Sequence, residues 1–371
     1  MVKRKIPLSL LLFLLSGHVF LFPSDLEIFG YYENRFYVLS TGELNFQNFG
    51  ENLSLGDYNR LRLQFRSSAS QNISLNVAVD FFTFHGFIRT PLGVPESPGQ
   101  QDPTYTQLDR AYVDFYFPGF DMTLGKQRIA IGVSYLWAPL DVYNRVNIFD
   151  PTEEKPGVNA LRVYIPVGKV SSLTGVFSPE DDFNSSKSSL RAKTHFAGID
   201  AALTYIYWGI QNQDIYGIDL RGENFIGWWL EGGYFVSPSE KDLKIVIGFD
   251  YTFPVMRGIY WLNEYFYDES GAEDSSQYDY DRLLTGERFT LGREYYLSAL
   301  QFPLHELLSL SLTYIGNWTD GSYILSPSLQ YEITQNAAIN TGFFFSMGTE
   351  GGEFNRDESG NVFYVWFKIN F

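Results

Sequence analysis

The carboxy-terminal stretch alternates strictly. Phe363, Val365, Phe367, Ile369 and Phe371 fall on one face of a strand, and Tyr364, Trp366, Lys368 and Asn370 fall on the other. A sheet ending in such a strand carries an open edge with one wholly apolar face, which aggregates unless something closes it. Closing the sheet into a barrel removes the edge. A partner of the same period lies at 26–39, where Tyr31, Glu33, Arg35 and Tyr37 oppose Tyr32, Phe36 and Val38.

With its final aromatic residue, the terminal stretch resembles the last strand of Gram-negative outer-membrane β-barrels. That resemblance implies an assembly signal in Phe367, Ile369 and Phe371, read by the barrel-assembly machinery. It also implies an exterior that meets outer-membrane lipid and lipopolysaccharide. The soluble alternative is the closing strand of an ordinary β-protein.

Alternation and turn signals predict an all-β chain of about eighteen strands. They fall near 26–39, 59–67, 72–84, 106–117, 120–131, 158–166, 169–178, 189–198 and 200–210, then 213–221, 224–236, 242–254, 256–267, 289–302, 307–317, 321–333, 335–347 and 361–371. Sixteen is the alternative, reached if the poorly alternating 200–210 and 213–221 form one bent hairpin. Connections out of even strands are uniformly short, whereas several out of odd strands are long, notably 40–58, 85–105, 132–157 and 268–288. Short turns on one rim and long loops on the other are the arrangement of a transmembrane up-and-down barrel with its short rim in the periplasm. Phe117-Pro118, Ile165-Pro166, Phe253-Pro254 and Phe302-Pro303 close even strands with a residue that has no ladder donor.

Composition fits a wall with one lipid-facing and one wet side. Aromatic residues make up 18% of the chain and charged residues 19%. No apolar run after the amino terminus is long enough for a helical span. Lys3, Arg4 and Lys5 followed by the apolar stretch from Ile6 to Phe22 read as a signal peptide over 1–24, with cleavage between 18 and 25; residues 25–371 are then one barrel domain. The chain has no cysteine, which excludes disulfides and thiolate metal sites. A net charge of −16 argues against nucleic acid as a partner.

Nothing in the sequence calls for catalysis, a metal or a cofactor. His85, His195 and His305 are scattered over a loop, a strand and a turn, and no Gly-x-Ser-x-Gly elbow occurs. Specificity belongs on the inward faces. The expected pore-lining set is Glu33, Arg35, Arg60, Arg62, Arg66, Asp80, Arg110, Asp114, Arg128, Arg162 and Lys368. These charges either neutralise one another across a hydrated lumen or form a basic wall on the early strands that draws anionic solutes. The acidic stretch 268–281 reads as a solvated loop, since it lacks the Gly-pivoted spacing of a calcium loop.

The connection 132–157 is too apolar to lie in water, and it is expected to fold inward as a constriction carrying Trp137, Asp141, Arg145 and Asp150. Packing among other loops or against a second subunit is the alternative. Gly125 to Gly132, Trp137 to Asn144 and Lys155 to Val163 together look like the central block of large porin-like outer-membrane proteins, among them barrels shaped like those of polysaccharide export. This chain has Ile131-Gly132 where Trp-Gly is common, and the likeness carries over no ligand residue. It implies a porin-like channel for small hydrophilic solutes, with anions as one option and an oligomer as another. The competing function is a structural or adhesion barrel with an occluded lumen.

Overall fold

The computed structural model describes residues 25–40, 53–88, 104–144, 154–284, 288, 290–356 and 360–371. The expected signal segment 1–24, Arg145 and Asp150 lie outside them. The described residues form one closed antiparallel sheet of eighteen strands. In chain order these are β1 (Glu27–Ser40), β2 (Leu53–Ser70), β3 (Ile73–Gly86), β4 (Thr104–Phe117), β5 (Phe120–Gln127) and β6 (Val158–Val167). Then come β7 (Ser171–Ser178), β8 (Lys187–Phe196), β9 (Ile199–Trp208), β10 (Gln213–Glu223), β11 (Gly227–Val236) and β12 (Lys241–Phe253). The last six are β13 (Ile259–Asp268), β14 (Glu294–His305), β15 (Leu308–Asn317), β16 (Ser322–Thr334), β17 (Ala337–Gly348) and β18 (Asn361–Asn370). Each strand pairs with its neighbours in sequence, and β1 pairs with β18.

The seam runs from Tyr31↔Asn370 to Ser40↔Asn361. Beyond it, Gly30 and Phe371 exchange backbone hydrogen bonds of 2.9 and 3.0 Å. Closure leaves no strand edge without a ladder, which a lipid environment requires. Alternation fixes the faces. Tyr31, Glu33, Arg35 and Tyr37 are buried inside, as are Arg60, Arg62, Asp80 and Tyr364. Leu75, Phe81, Leu124, Leu203, Ile247, Phe343, Ile369 and Phe371 are exposed on the outer surface. Lys368 faces inward, its Nζ 4.0 Å from the centre of the Tyr31 ring.

Turn chemistry accounts for the short rim. Ala197 and Gly198 both take positive φ, 51° and 81°, and make a two-residue hairpin turn whose twist matches the flanking strands. The segments 200–210 and 213–221 are separate strands, β9 and β10. A single 3-10 turn over Gly209–Gln211, ended by Asn212 in the left-handed region, divides them.

Four expectations are corrected. β5 stops at Gln127 rather than 131, so Arg128 lies past the strand end and is exposed. His85 belongs to β3 and faces outward beside Asp57, while His305 ends β14 instead of lying in a turn. Asp268 is buried rather than solvated, because Lys244 donates to it at 2.8 Å. The inner wall is also not uniformly wet. Trp229, Val246, Leu262, Phe266, Leu297, Ile315, Ile324 and Phe344 all point inward on β11–β17 and join a buried cluster with Leu136 and Trp137. The period of two divides inside from outside, but it does not require the inside to be polar.

Because Phe371 seals the seam while facing outward, Phe371→Asp is expected to lower the yield of folded barrel in membranes and to leave the conductance of what does assemble unchanged. Heat-modifiable mobility of membrane fractions, followed by single-channel recording, measures both.

Candidate functional site

After Gln127 the chain leaves the wall and crosses the bore. Its backbone amides end on two carboxylates of the far side. Glu231 on β11 accepts from the amides of Val133 (2.8 Å), Ser134 (3.0 Å) and Leu140 (3.0 Å) and from the Ser134 hydroxyl (2.9 Å). Glu264 on β13 accepts from the amides of Tyr135 (2.5 Å) and Leu136 (2.8 Å) and from Trp229 Nε1 (2.8 Å). Both glutamates are fully buried. Neither has a cationic partner among the described residues, so hydrogen-bond donors compensate the buried oxygens.

Apolar contacts seat the same loop. Trp137 stacks on Phe266 with ring centres 5.9 Å apart and planes at 10°, and it leans on Tyr295 at 5.7 Å. Leu140 fills the space left by Gly217 and Gly233, where an added Cβ would come within 2.5 and 3.1 Å of its side chain. Gly132 turns at φ 96° directly against Glu231. Asp141 is buried and bound to Lys155 at 2.5 Å and to Asn144 Nδ2 at 2.8 Å. Burial raises its carboxyl above the ordinary range despite the Lys155 charge.

On the near wall the early arginines are paired. Arg60 grips Asp80 with two bonds of 3.0 and 3.1 Å and lies between the rings of Tyr31 and Phe82. Arg62, with 0% of its side chain exposed, reaches Asp80 at 2.9 Å, Asp109 at 2.6 Å and Glu154 at 3.4 Å. Arg110 binds the other oxygen of Glu154 at 2.5 Å. Glu33 and Arg35 pair at 2.6 Å, and Arg35 lies 4.2 Å over Trp366. Arg66 is exposed towards the short rim, with Asn76 at 3.3 Å and Glu27 at 3.7 Å. Asp114 accepts from Thr123 (2.7 Å), Ser74 (3.2 Å) and Asn76 (3.3 Å). Arg162 donates to Thr123 at 3.1 Å and has no carboxylate partner among the described residues.

Two residues central to this arrangement are absent from the sequence expectation. Asp109 is the extra residue of a β-bulge, since Ala78 pairs with Arg110 and Val79 with Leu108. The bulge turns Asp109 and Arg110 to the same side, and Asp109 also accepts the amide of Gly157 at 3.0 Å. Its signal is the out-of-phase pair Asp109-Arg110 after outward Leu108. Glu264 is the other. It stands as a lone carboxylate in the apolar inward row Leu262, Glu264, Phe266, a mark that it answers to something inside the barrel.

Below the loop the bore stays open on the β4–β8 side. A cavity of about 470 Å³ is lined by Tyr112, Tyr116, Asp121, Thr123, Arg162 and Tyr164 and roofed by Ile129 to Ile131. Tyr112 and Tyr116 also border a space of about 810 Å³ that reaches Asp25 and Arg66 at the short rim. No group of three metal-ligating side chains occurs among the described residues. His85, His195 and His305 lie on β3, β8 and β14, no two of them neighbouring strands.

No protein-family model and no curated protein sequence matches the chain. Solved structures do. The outer membrane protein OpdK from Pseudomonas aeruginosa superposes with a TM-score of 0.63 at 10% identity, over 94% of this chain and 99% of that one. A BenF-like porin from Pseudomonas fluorescens gives 0.62 at 9% identity, with the same two shares. OccAB3 from Acinetobacter baumannii gives 0.62 at 10%, again over 94% and 99%. The fold is that of outer-membrane porins. Within this porin fold, the loop after β5 and the ion pairs facing it are the candidate working parts.

Removing Arg62 leaves Asp80 and Asp109 sharing a dry site with less positive charge, so Arg62→Met should destabilise the barrel by roughly 3–5 kcal/mol. Unfolding in urea from lipid bilayers measures the loss.

A second expectation concerns the long-loop rim. Glu353, between β17 and β18, accepts from Tyr295 at 2.6 Å and Asn317 at 2.8 Å. Burial, with Asp320 alongside, pushes its carboxyl up to about 7. A raised carboxyl gives stability that is complete below its ordinary value and lost as pH climbs through the raised one. Amides of 352–355 should therefore exchange faster, after correction for intrinsic rate, on the alkaline side of that pH than on the acid side. Glu353→Gln should flatten the difference.

Proposed function

We propose that the protein is a channel of the bacterial outer membrane through which small hydrophilic solutes diffuse, narrowed by the loop between β5 and β6. One observation carries this reading: the loop is fastened across the bore by Glu231 and Glu264, yet it leaves an open cavity of about 470 Å³ on the β4–β8 side. Such a geometry constricts without plugging. The likeness to porins supports it at the level of fold, and one neighbour, OpdK, was solved with vanillate. Work in such a channel is diffusion past fixed charges and a steric neck, with no bond chemistry.

A basic wall selecting anions draws less support. Arg60, Arg62 and Arg110 already hold Asp80, Asp109 and Glu154. The pairs cancel their fields at short range, so any anion preference rests on Arg162 and on cations near the short rim such as Arg66. Partners in this reading are outer-membrane lipid and lipopolysaccharide outside, and the assembly machinery at the Phe367–Ile369–Phe371 face.

The second reading, a structural or adhesion barrel, is favoured by the apolar packing that closes the β11–β18 side of the bore around Leu136 and Trp137. Planar-bilayer recording separates the two: a folded barrel that never opens supports the second. In the channel reading, Glu231→Ala frees Val133, Ser134 and Leu140 and should raise unitary conductance and open-state noise together. Unchanged conductance in folded Glu231→Ala would remove the loop from the pathway.

A further inference from the structure

We propose that the inward face of β4, β5 and β6 below the loop is a binding subsite for a neutral ring-form sugar, a mono- or disaccharide. The proposal rests on the channel reading only for its place on the transport path.

The first observation is a cross-strand row. Tyr116 on β4 pairs with Asp121 on β5, and Asp121 pairs with Tyr164 on β6. A carboxylate therefore stands between two phenol rings on adjoining strands. Strands lie about 4.8 Å apart, so the rings rise from backbone positions roughly 10 Å apart, room for one saturated ring between them. The next row reads Asp114, Thr123, Arg162, joined as Arg162 to Thr123 (3.1 Å) and Thr123 to Asp114 (2.7 Å). One row further, Tyr112 pairs with Gly125, and Gly125 with Ala160, so no bulky side chain fills the floor beside that third ring.

Charge supplies the second observation. Asp121 has neither a hydrogen-bond nor an ion-pair partner among the described residues, and Arg162 spends its only such bond on a hydroxyl. Arg191, at the far edge of the cavity, is closed on Asp219 by two bonds of 2.5 and 2.8 Å. The cavity therefore offers one free carboxylate and one guanidinium with spare donors, with Asp114 close behind. A carboxylate solute drawn to Arg162 meets Asp121 and Asp114. A neutral polyol meets no such opposition, because each hydroxyl both donates and accepts: one can give to Asp121 while another takes from Arg162. The rings of Tyr112, Tyr116 and Tyr164 can cover the apolar faces of the sugar, while the polar side chains around them meet its hydroxyls. The cavity, at about 470 Å³, has the volume for a mono- or disaccharide.

Calorimetry on the full-length barrel in detergent, with maltose, p-hydroxybenzoate and tyrosine as neutral, anionic and zwitterionic probes, tests the subsite without requiring conduction. Maltose should bind most tightly of the three. Asp121→Asn and Tyr164→Ala should each weaken it by about tenfold, the loss of one charged hydrogen bond or one stacking face. Both variants must retain the heat-modifiable mobility of the folded barrel; Asp121→Asn, a near-isostere at a partner-free position, covers the case in which Tyr164→Ala fails to fold. No maltose binding, tighter binding of either other probe, or wild-type affinity in both folded variants overturns the proposal. Bilayer recording then separates it from the reading on which it rests. Current that millimolar maltose does not block overturns the subsite. Calorimetric binding in a barrel that passes no current supports the subsite and overturns the channel.

Discussion

Eighteen strands close on a bore too wide for their own side chains to fill. Closure solves the backbone problem at the seam, where β1 and β18 pair along their length. The interior is left to be completed by something else. The loop after β5 completes it, and two buried glutamates with no cationic partner among the described residues, Glu231 and Glu264, pay for its entry by taking five of its backbone amides. In an apolar bore those amides would otherwise go unsatisfied, at a cost of about 1–3 kcal/mol each. The carboxylates would be as badly off without the loop. Each side makes the other's burial tolerable.

This exchange divides the cross-section. On the β11–β18 side, and on through Tyr37, Tyr58, Phe82 and Phe84 of β1–β3, Trp137 and Leu136 merge with inward aromatic and aliphatic residues into a packed core. On the β1–β4 side the arginines are spent on Asp80, Asp109 and Glu154, two of which also hold the far end of the same loop region: Asp109 through the amide of Gly157, and Glu154 as part of it. What remains open lies between, along β4 to β8, where Arg162 and Asp121 keep unspent bonding capacity. Position in the ring, more than the count of charged residues, decides which of them face solute.

The wall was readable from the sequence because a period of two, turn residues and loop lengths are local quantities. The eighteen strands, the sorting of short and long connections and the two faces of the terminal strand follow from them. The contents of the bore were not readable to the same degree. Inward Leu262 and Phe266 look the same in sequence whether water or Trp137 covers them, and only tertiary contact settles it. Asp109 was missed because a bulge shifts the phase by one residue, and reading back from the inward Arg110, Tyr112 and Asp114 assigns it to the wrong face. Glu264 was missed because two of its three donors are backbone amides well over a hundred positions away, which leave no trace in side-chain chemistry, and the third, Trp229 Nε1, sits on a strand that is not its neighbour. Arg128 belongs to the loop and not to the wall, because β5 ends four residues earlier than alternation suggests, before a stretch whose apolar character serves the roof of the cavity.

The loop leaves the wall at β5 and is fastened at β11 and β13, roughly across the circumference. It therefore acts as a tie-rod between opposite walls. A hollow barrel of this width can flatten into an ellipse under lateral pressure from the bilayer at little cost, since its ladders tolerate changes of curvature. Here flattening would stretch or crush the hydrogen bonds at Glu231 and Glu264, so the shape of the mouth is set by a chord as well as by its rim.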